Sequence, residues 1–193
     1  GNISKLLFAF AIPVLIGCIL QLTYSLVDTR IVGSALGEDA LAAVGATSSL
    51  SSLLIGFLQG LTNGFAVIAA QFFGAHDFKG LKRCVATSLI LGCSIAVFIT
   101  AAVLIFLDPL LSFLNTPSNV IRLSADYISI IFAGLIISML YNVCSALLRA
   151  IGDTITPLIF LAVSVVLNIF LDLLCIFPLD MGVRGAAIAT VIS

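Results

Sequence analysis

An all-α integral membrane fold of six packed helices is what this sequence predicts, and three observations predict it. Of 193 residues, 62% are hydrophobic and only 9% are charged. The mean hydropathy is +1.32. The apolar residues also fall into long runs, divided by short breaks that hold most of the Gly, Pro and charge. An ordinary soluble domain carries roughly 25% charged residues, so a water-soluble fold of this size is excluded. About 20 apolar residues cross a bilayer, which leaves room for six spans and none for a sizeable soluble domain besides.

The spans follow in order. Apolar runs lie at about residues 6–32, 44–72, 84–107, 125–148 and 155–178, each long enough to cross with some tilt. A sixth, 182–193, begins near Gly182 and meets the end of the chain at Ser193, too short to span by itself. The chain also opens on Gly1 rather than Met, so both ends read as edges within a longer protein. The breaks are Gly33 to Asp39, Gly74 to Arg83, Asp108 to Asn119, Arg149 to Pro157 and Pro178 to Arg184. Loops this short make neighbouring helices antiparallel. Pro13 sits in the first turns of the first helix, where it can kink it; Pro157 falls where a helix start tolerates proline. The first run lacks the layout of a cleaved signal peptide and reads as a retained span.

Charge sets the expected orientation and removes whole classes of function. Lys5, Lys79, Lys82, Arg83 and Arg149 fall on one side, and Arg30, Arg122 and Arg184 on the other. That bias places the N-terminus in the cytoplasm of a multi-pass protein of the cell membrane, with the second and fourth loops beside it. A formal net charge of −1 with scattered Lys and Arg gives no footprint for nucleic acid. Five cysteines, Cys18, Cys84, Cys93, Cys144 and Cys175, form neither a CxxC pair nor a Cys/His cluster and read as packing residues. No HExxH, GxSxG or phosphate loop is present, and the single His76 lies in a loop beside Asp77 and Lys79, so an enzyme is not expected.

What remains to carry chemistry is a pair of acids. An ionised carboxylate in hydrocarbon costs several kcal/mol, so acids inside spans are rare and usually face a cavity. Asp28 lies late in the first span and Asp172 late in the fifth, each fifteen residues beyond Pro13 or Pro157. At about 1.5 Å per residue both sit roughly 22 Å along helices that run the same way, so two acids at one depth could share a cation or a proton. Gln21, Tyr24, Ser25 and Asp28 follow one helix face, as do Ser164, Asn168 and Asp172 on the other helix. Plainer readings stand beside this one. Asp28 could pair with Arg30 at the interface, and Asn168 could simply bridge helices. Tyr127 and Asn142 in the fourth span could line a cavity or only cap and bridge.

A set of motifs in order resembles one family. These are Ile12-Pro13, Val27-Asp28-Thr29 and Val32-Gly33 in the first helix; Gln71-Phe72-Phe73-Gly74-Ala75 closing the second; Leu148 to Asp153 with Pro157 before the fifth; Asn168 to Asp172 within it; and Gly185 to Thr190 in the sixth. Together they resemble the multidrug and toxic compound extrusion (MATE) transporters of prokaryotes. The resemblance implies the six-helix N-terminal lobe of a twelve-helix, two-lobe transporter, whose C-terminal lobe this chain does not contain. It implies export of cationic or amphipathic small molecules in exchange for H⁺ or Na⁺, with no other cofactor. It further implies that Asp28, Asn168, Asp172 and Thr190 hold the coupling cation, and that Gln21 and Tyr127 line the substrate cavity, to which Tyr24 and Asn142 on the same helices and Ser164, one turn before Asn168, are added. Two alternatives are a flippase for a lipid-linked saccharide precursor, which calls for more cationic cavity residues than Arg30 and Arg122, and a non-transporting polytopic protein, which leaves the paired acids unexplained.

Overall fold

A computed structural model describes residues 3–113 and 120–193, and among them every regular element is a helix. They are α1 Ile3–Leu36, α2 Glu38–Gly74, α3 Phe78–Ile105, α4 Leu107–Phe113, α5 Ile121–Ala133, α6 Leu135–Ala150, α7 Ile155–Ile176 and α8 Gly182–Ile192. Lipid offers a backbone no hydrogen bonds, so each apolar run closes its own as a helix. Hydroxyls follow the same rule: Thr23, Thr29, Thr47 and Ser129 each donate to the carbonyl four residues back.

Four helices, α1, α2, α3 and α7, are long and apolar enough to cross a membrane, and α5 and α6, bent by 45° where they meet, are long and apolar enough only when taken together. The eleven residues of α8 are apolar but shorter. Large apolar side chains such as Leu7, Phe8, Leu22, Leu26, Phe98 and Val166 are exposed all round the bundle, a surface that a bilayer covers and water would not tolerate.

The breaks are tighter than the sequence predicts. The first, read as Gly33 to Asp39, shrinks to Gly37, because α1 runs to Leu36 and α2 begins at Glu38. Gly37 turns the chain with a φ of 86°, and Glu38 and Asp39 place negative charge on the new helix start, where the helix dipole favours it. In the second break Asp77 caps α3, its carboxylate accepting the amides of Lys79 and Gly80. The third break, read as Asp108 to Asn119, holds α4 up to Phe113; its remainder, 114–119, lies outside the described residues.

The fourth run, read as one span over 125–148, is two helices meeting at Gly134. No proline marks the bend. Gly134 lies so close to α8 that a β-carbon there would stand 2.5 Å from both methyls of Val191. On the other side the hydroxyl of Thr100 in α3 donates to the carbonyl of Phe132 at 2.9 Å, supplying a partner at the point where the helix breaks.

Packing follows connectivity only in part. α1 lies along α7, α7 along α8, and α8 along α5, while α2 packs on α1, α3, α5 and α6. One buried cluster, with Leu58, Ala96, Ile128, Phe132, Leu135 and Met139, joins α2, α3, α5 and α6. A second, with Val32, Ala40, Ile176, Val183 and Ala186, closes the opposite ends of α1, α2, α7 and α8.

The bend yields a stability prediction. Gly134→Ala overpacks the contact with Val191 and should lower unfolding stability by about 1–3 kcal/mol, with most of it restored in the double variant Gly134→Ala/Val191→Ala. Chemical unfolding in detergent measures both. Equal stability of Gly134→Ala and wild type would show that this close approach does not hold the bend.

Candidate ion site and polar cavity

Three helices carry the candidate site because α7 lies between α1 and α8. α1 presents Tyr24 and Asp28, one turn apart, and α7 presents Asn168 and Asp172, also one turn apart. Asn168 and Asp172 are fully buried. The Asp28 carboxyl faces that of Asp172 across the α1–α7 contact. From α8 comes Thr190, whose hydroxyl accepts from the Tyr24 phenol at 3.4 Å and donates to the Ala186 carbonyl at 3.0 Å. Tyr127 of α5 completes the surroundings, within electrostatic reach of Asp28, Tyr24 and Asp172.

The site's unusual property is what the protein does not supply. Both oxygens of Asp172, Oδ1 of Asp28, and both the amide nitrogen and oxygen of Asn168 are buried with no hydrogen-bond partner. A buried polar group left unpaired costs about 1–3 kcal/mol, and more when it is charged. Two facing carboxyls also repel unless a proton or a cation lies between them. Carboxylate, amide and hydroxyl oxygens are hard donors that suit such a cation. Among the described residues no Asp28–Arg30 ion pair forms; the ion pair seen is that of Arg184 with Asp126, at 2.9 Å, joining the first turn of α8 to the second turn of α5.

The structure divides the residues expected to line a cavity. Tyr24 and Tyr127 belong with the acids. Ser164 lies on the acid face of α7 but gives its hydroxyl to the carbonyl of Ser193 at the end of α8. Gln21 and Asn142 instead line a separate cavity of about 270 Å³ between α1, α2, α6 and α7. Asn142 also donates its amide to the Ser138 carbonyl at 2.8 Å.

The remaining walls of that cavity include Gln59, Asn63, Tyr141, Ser145 and Arg149, none of which sequence reasoning had placed in a site. A signal existed. Gln59 and Asn63 are one turn apart on α2, and Asn142, Ser145 and Arg149 recur at helical spacing on α6. A polar stripe on each of two apolar helices marks facing surfaces, but only folding brings α2 against α6.

Comparison with known proteins follows the same outline. The MatE family profile matches residues 13–174. The chain is 35% identical over 193 residues to the probable multidrug resistance protein YpnP of Bacillus subtilis, covering all of this chain and 43% of that protein. It is 38% identical over 189 residues to the probable multidrug resistance protein YoeA of the same organism, covering 95% of this chain and 41% of YoeA. Among solved structures, MATE in complex with MaD3S superposes with a TM-score of 0.92 at 33% identity, over 100% of this chain and 43% of that one. An outward-facing multidrug resistance MATE transporter of the MOP superfamily also gives 0.92 at 33% identity, over 100% and 42%. The chain thus spans less than half the length of the relatives it matches.

Unpaired polar groups make a stability prediction opposite to that of the core. Asn168→Leu should leave unfolding stability unchanged or raise it, because it removes two unsatisfied buried atoms. Met139→Ala, fully buried in the apolar cluster, should lose about 2–5 kcal/mol by the same measurement. A loss above about 1 kcal/mol in Asn168→Leu would mean the amide is stabilised in the resting protein.

Proposed function

The chain belongs to the MatE family, and from that premise we propose that it is the ion-coupling lobe of a secondary exporter, which expels cationic or amphipathic small molecules in exchange for H⁺ or Na⁺. The observation that carries this reading is the buried group of Asp28, Asn168 and Asp172, whose polar atoms have no protein partner. A fold does not keep such groups in a membrane for stability. A cation bound between the carboxyls supplies what they lack, with the Asn168 and Thr190 oxygens completing its shell.

In this reading the exported compound is held by the polar cavity walls at Gln21 and Asn142 and by Tyr24, Tyr127 and Ser164 nearer the acids. Cation uptake from outside neutralises the Asp28–Asp172 pair, removes the repulsion between α1 and α7, and lets α1 bend near Pro13 so that the space for substrate collapses. A single cation site shifts the balance between conformations only by its difference in affinity, a few kcal/mol. A second lobe completes the pathway. The protein sits in the cell membrane with its N-terminus in the cytoplasm, where five of its eight basic residues would gather. A flippase for a lipid-linked precursor would need several cations in the cavity, and Arg149 is the one charged residue in its walls.

Export of a fluorescent cationic dye from cells expressing the complete gene, under an imposed H⁺ or Na⁺ gradient, tests the proposal. Wild type should export under one of the gradients, and Asp28→Asn and Asp172→Asn should lose about tenfold or more while remaining folded in the membrane. Equal export by all three would remove the acid pair from coupling.

A further inference from the structure

The first turns of α3 carry three cations on one side. Lys79, Lys82 and Arg83 stand three and four residues apart, so they share one face of the helix and lie within about 6 Å of one another along its axis. All three are exposed, and none has an ion-pair partner among the described residues. The acid beside them, Asp77, is committed to the helix end. Its Oδ1 accepts the amides of Lys79 at 3.1 Å and Gly80 at 2.9 Å.

Which way that face points decides what it can meet. α3 turns Ser88, Gly92, Ala96 and Val103 into the bundle, where they are buried. At about 100° per residue these four lie on the side of the helix opposite the three cations. On the cations' own side Ala86, Ile90 and Val97 follow, all of them exposed. Ile90 lies about 10 Å and Val97 about 21 Å beyond Arg83, within the half-thickness of a bilayer counted from its headgroups. The outward side of α3 is therefore a cationic head above an apolar stripe.

The backbone that carries the head is fixed. His76 bonds back to the Phe73 carbonyl at 3.1 Å and Asp77 to that of Phe72 at 3.0 Å. Gly80 packs on the Phe72 ring, which a β-carbon there would meet at 2.5 Å. A ligand held by this turn need not order it first.

We propose that this side of α3 binds an anionic phospholipid of the surrounding bilayer, with its phosphodiester on Arg83, Lys79 and Lys82 beside it, and an acyl chain along Ile90 and Val97. A guanidinium grips phosphate oxygens with two parallel hydrogen bonds, and the two ammonium groups add charge. A zwitterionic phospholipid has the same phosphate and chains, but the three cations repel the cation of its headgroup. The bound lipid ties the turn between α2 and α3 to the headgroup layer. No residue of α3 lines the cavity between α1, α2, α6 and α7 or belongs to the acid group, so the site stands or falls separately from the exporter reading.

Native mass spectrometry of the delipidated protein, expressed from the complete gene, tests the site with three probes. They are dioleoyl-phosphatidylglycerol, dioleoyl-phosphatidylcholine and glycerol 3-phosphate, the last a phosphate without chains. Phosphatidylglycerol should bind about tenfold or more tightly than either of the others, and the triple variant Lys79→Gln/Lys82→Gln/Arg83→Gln should lose that preference. Arg122→Gln, at the other end of the bundle, should keep it. Lys82→Gln and Arg83→Gln singly should each weaken phosphatidylglycerol about threefold or more, which keeps the test valid if the triple variant fails to fold. Equal binding of the two phospholipids overturns the proposal, since the cations then only reach up to water. A preference that survives in the folded variants also overturns it, by placing the lipid elsewhere. Glycerol 3-phosphate binding as tightly as phosphatidylglycerol does so too, by marking a soluble-anion site.

Discussion

A polar group inside hydrocarbon must find its partner within the chain, and nearly every feature of this structure follows from that constraint. The backbone meets it by forming helices almost without interruption. Hydroxyls meet it by bonding back to their own helix, as Thr47 and Thr190 do. Where the fourth crossing breaks at Gly134, Thr100 reaches over from α3 to the carbonyl of Phe132. Set against this, the group of Asp28, Asn168 and Asp172 leaves buried oxygens and nitrogens bare. Its neighbours Tyr24 and Thr190 satisfy each other instead of the acids.

Polarity is separated along the bundle. The acids occupy the half where α1 and α7 approach their C-terminal ends, and Arg149 occupies the half where those helices begin. Between them Gln21 lies on the same face of α1 as Asp28, seven residues earlier, so one helix touches both regions. Carboxyls lie at one end and a guanidinium at the other. The same helices therefore serve two electrostatic environments without bringing the charges close enough to cancel.

Much of this was legible beforehand, for physical reasons. Hydropathy marks spans because the bilayer thickness is fixed; α7 occupies Ile155–Ile176 within the run read over 155–178, whereas α3, Phe78–Ile105, begins six residues ahead of the run read over 84–107. Asp28 and Asp172 stood out because acids are costly in lipid, and their equal spacing from two prolines placed them at one depth. The short break at Gly37 was not legible, since Ser34, Ala35 and Glu38 are polar or small enough to read as loop yet helical in fact. The bend at Gly134 was hidden because the residue packed against it, Val191, lies 57 residues away in sequence. The cavity was hidden for the same reason: its walls come from α1, α2, α6 and α7, and Gln59 or Arg149 alone carries no sign of the others.

The contact of α5 with α8 has a kinematic consequence. It is fastened twice, by the Arg184–Asp126 ion pair near the start of both helices and by the nesting of Gly134 against Val191 at their far ends. Four of the eleven residues of α8, Gly185, Ala186, Ala187 and Ala189, are small and buried, so the helix packs closely. In α1, by contrast, Val32 is the only buried residue among those described. Any sliding of α8 along α5 breaks both fastenings, whereas α1 meets the lobe chiefly along α7 and α2.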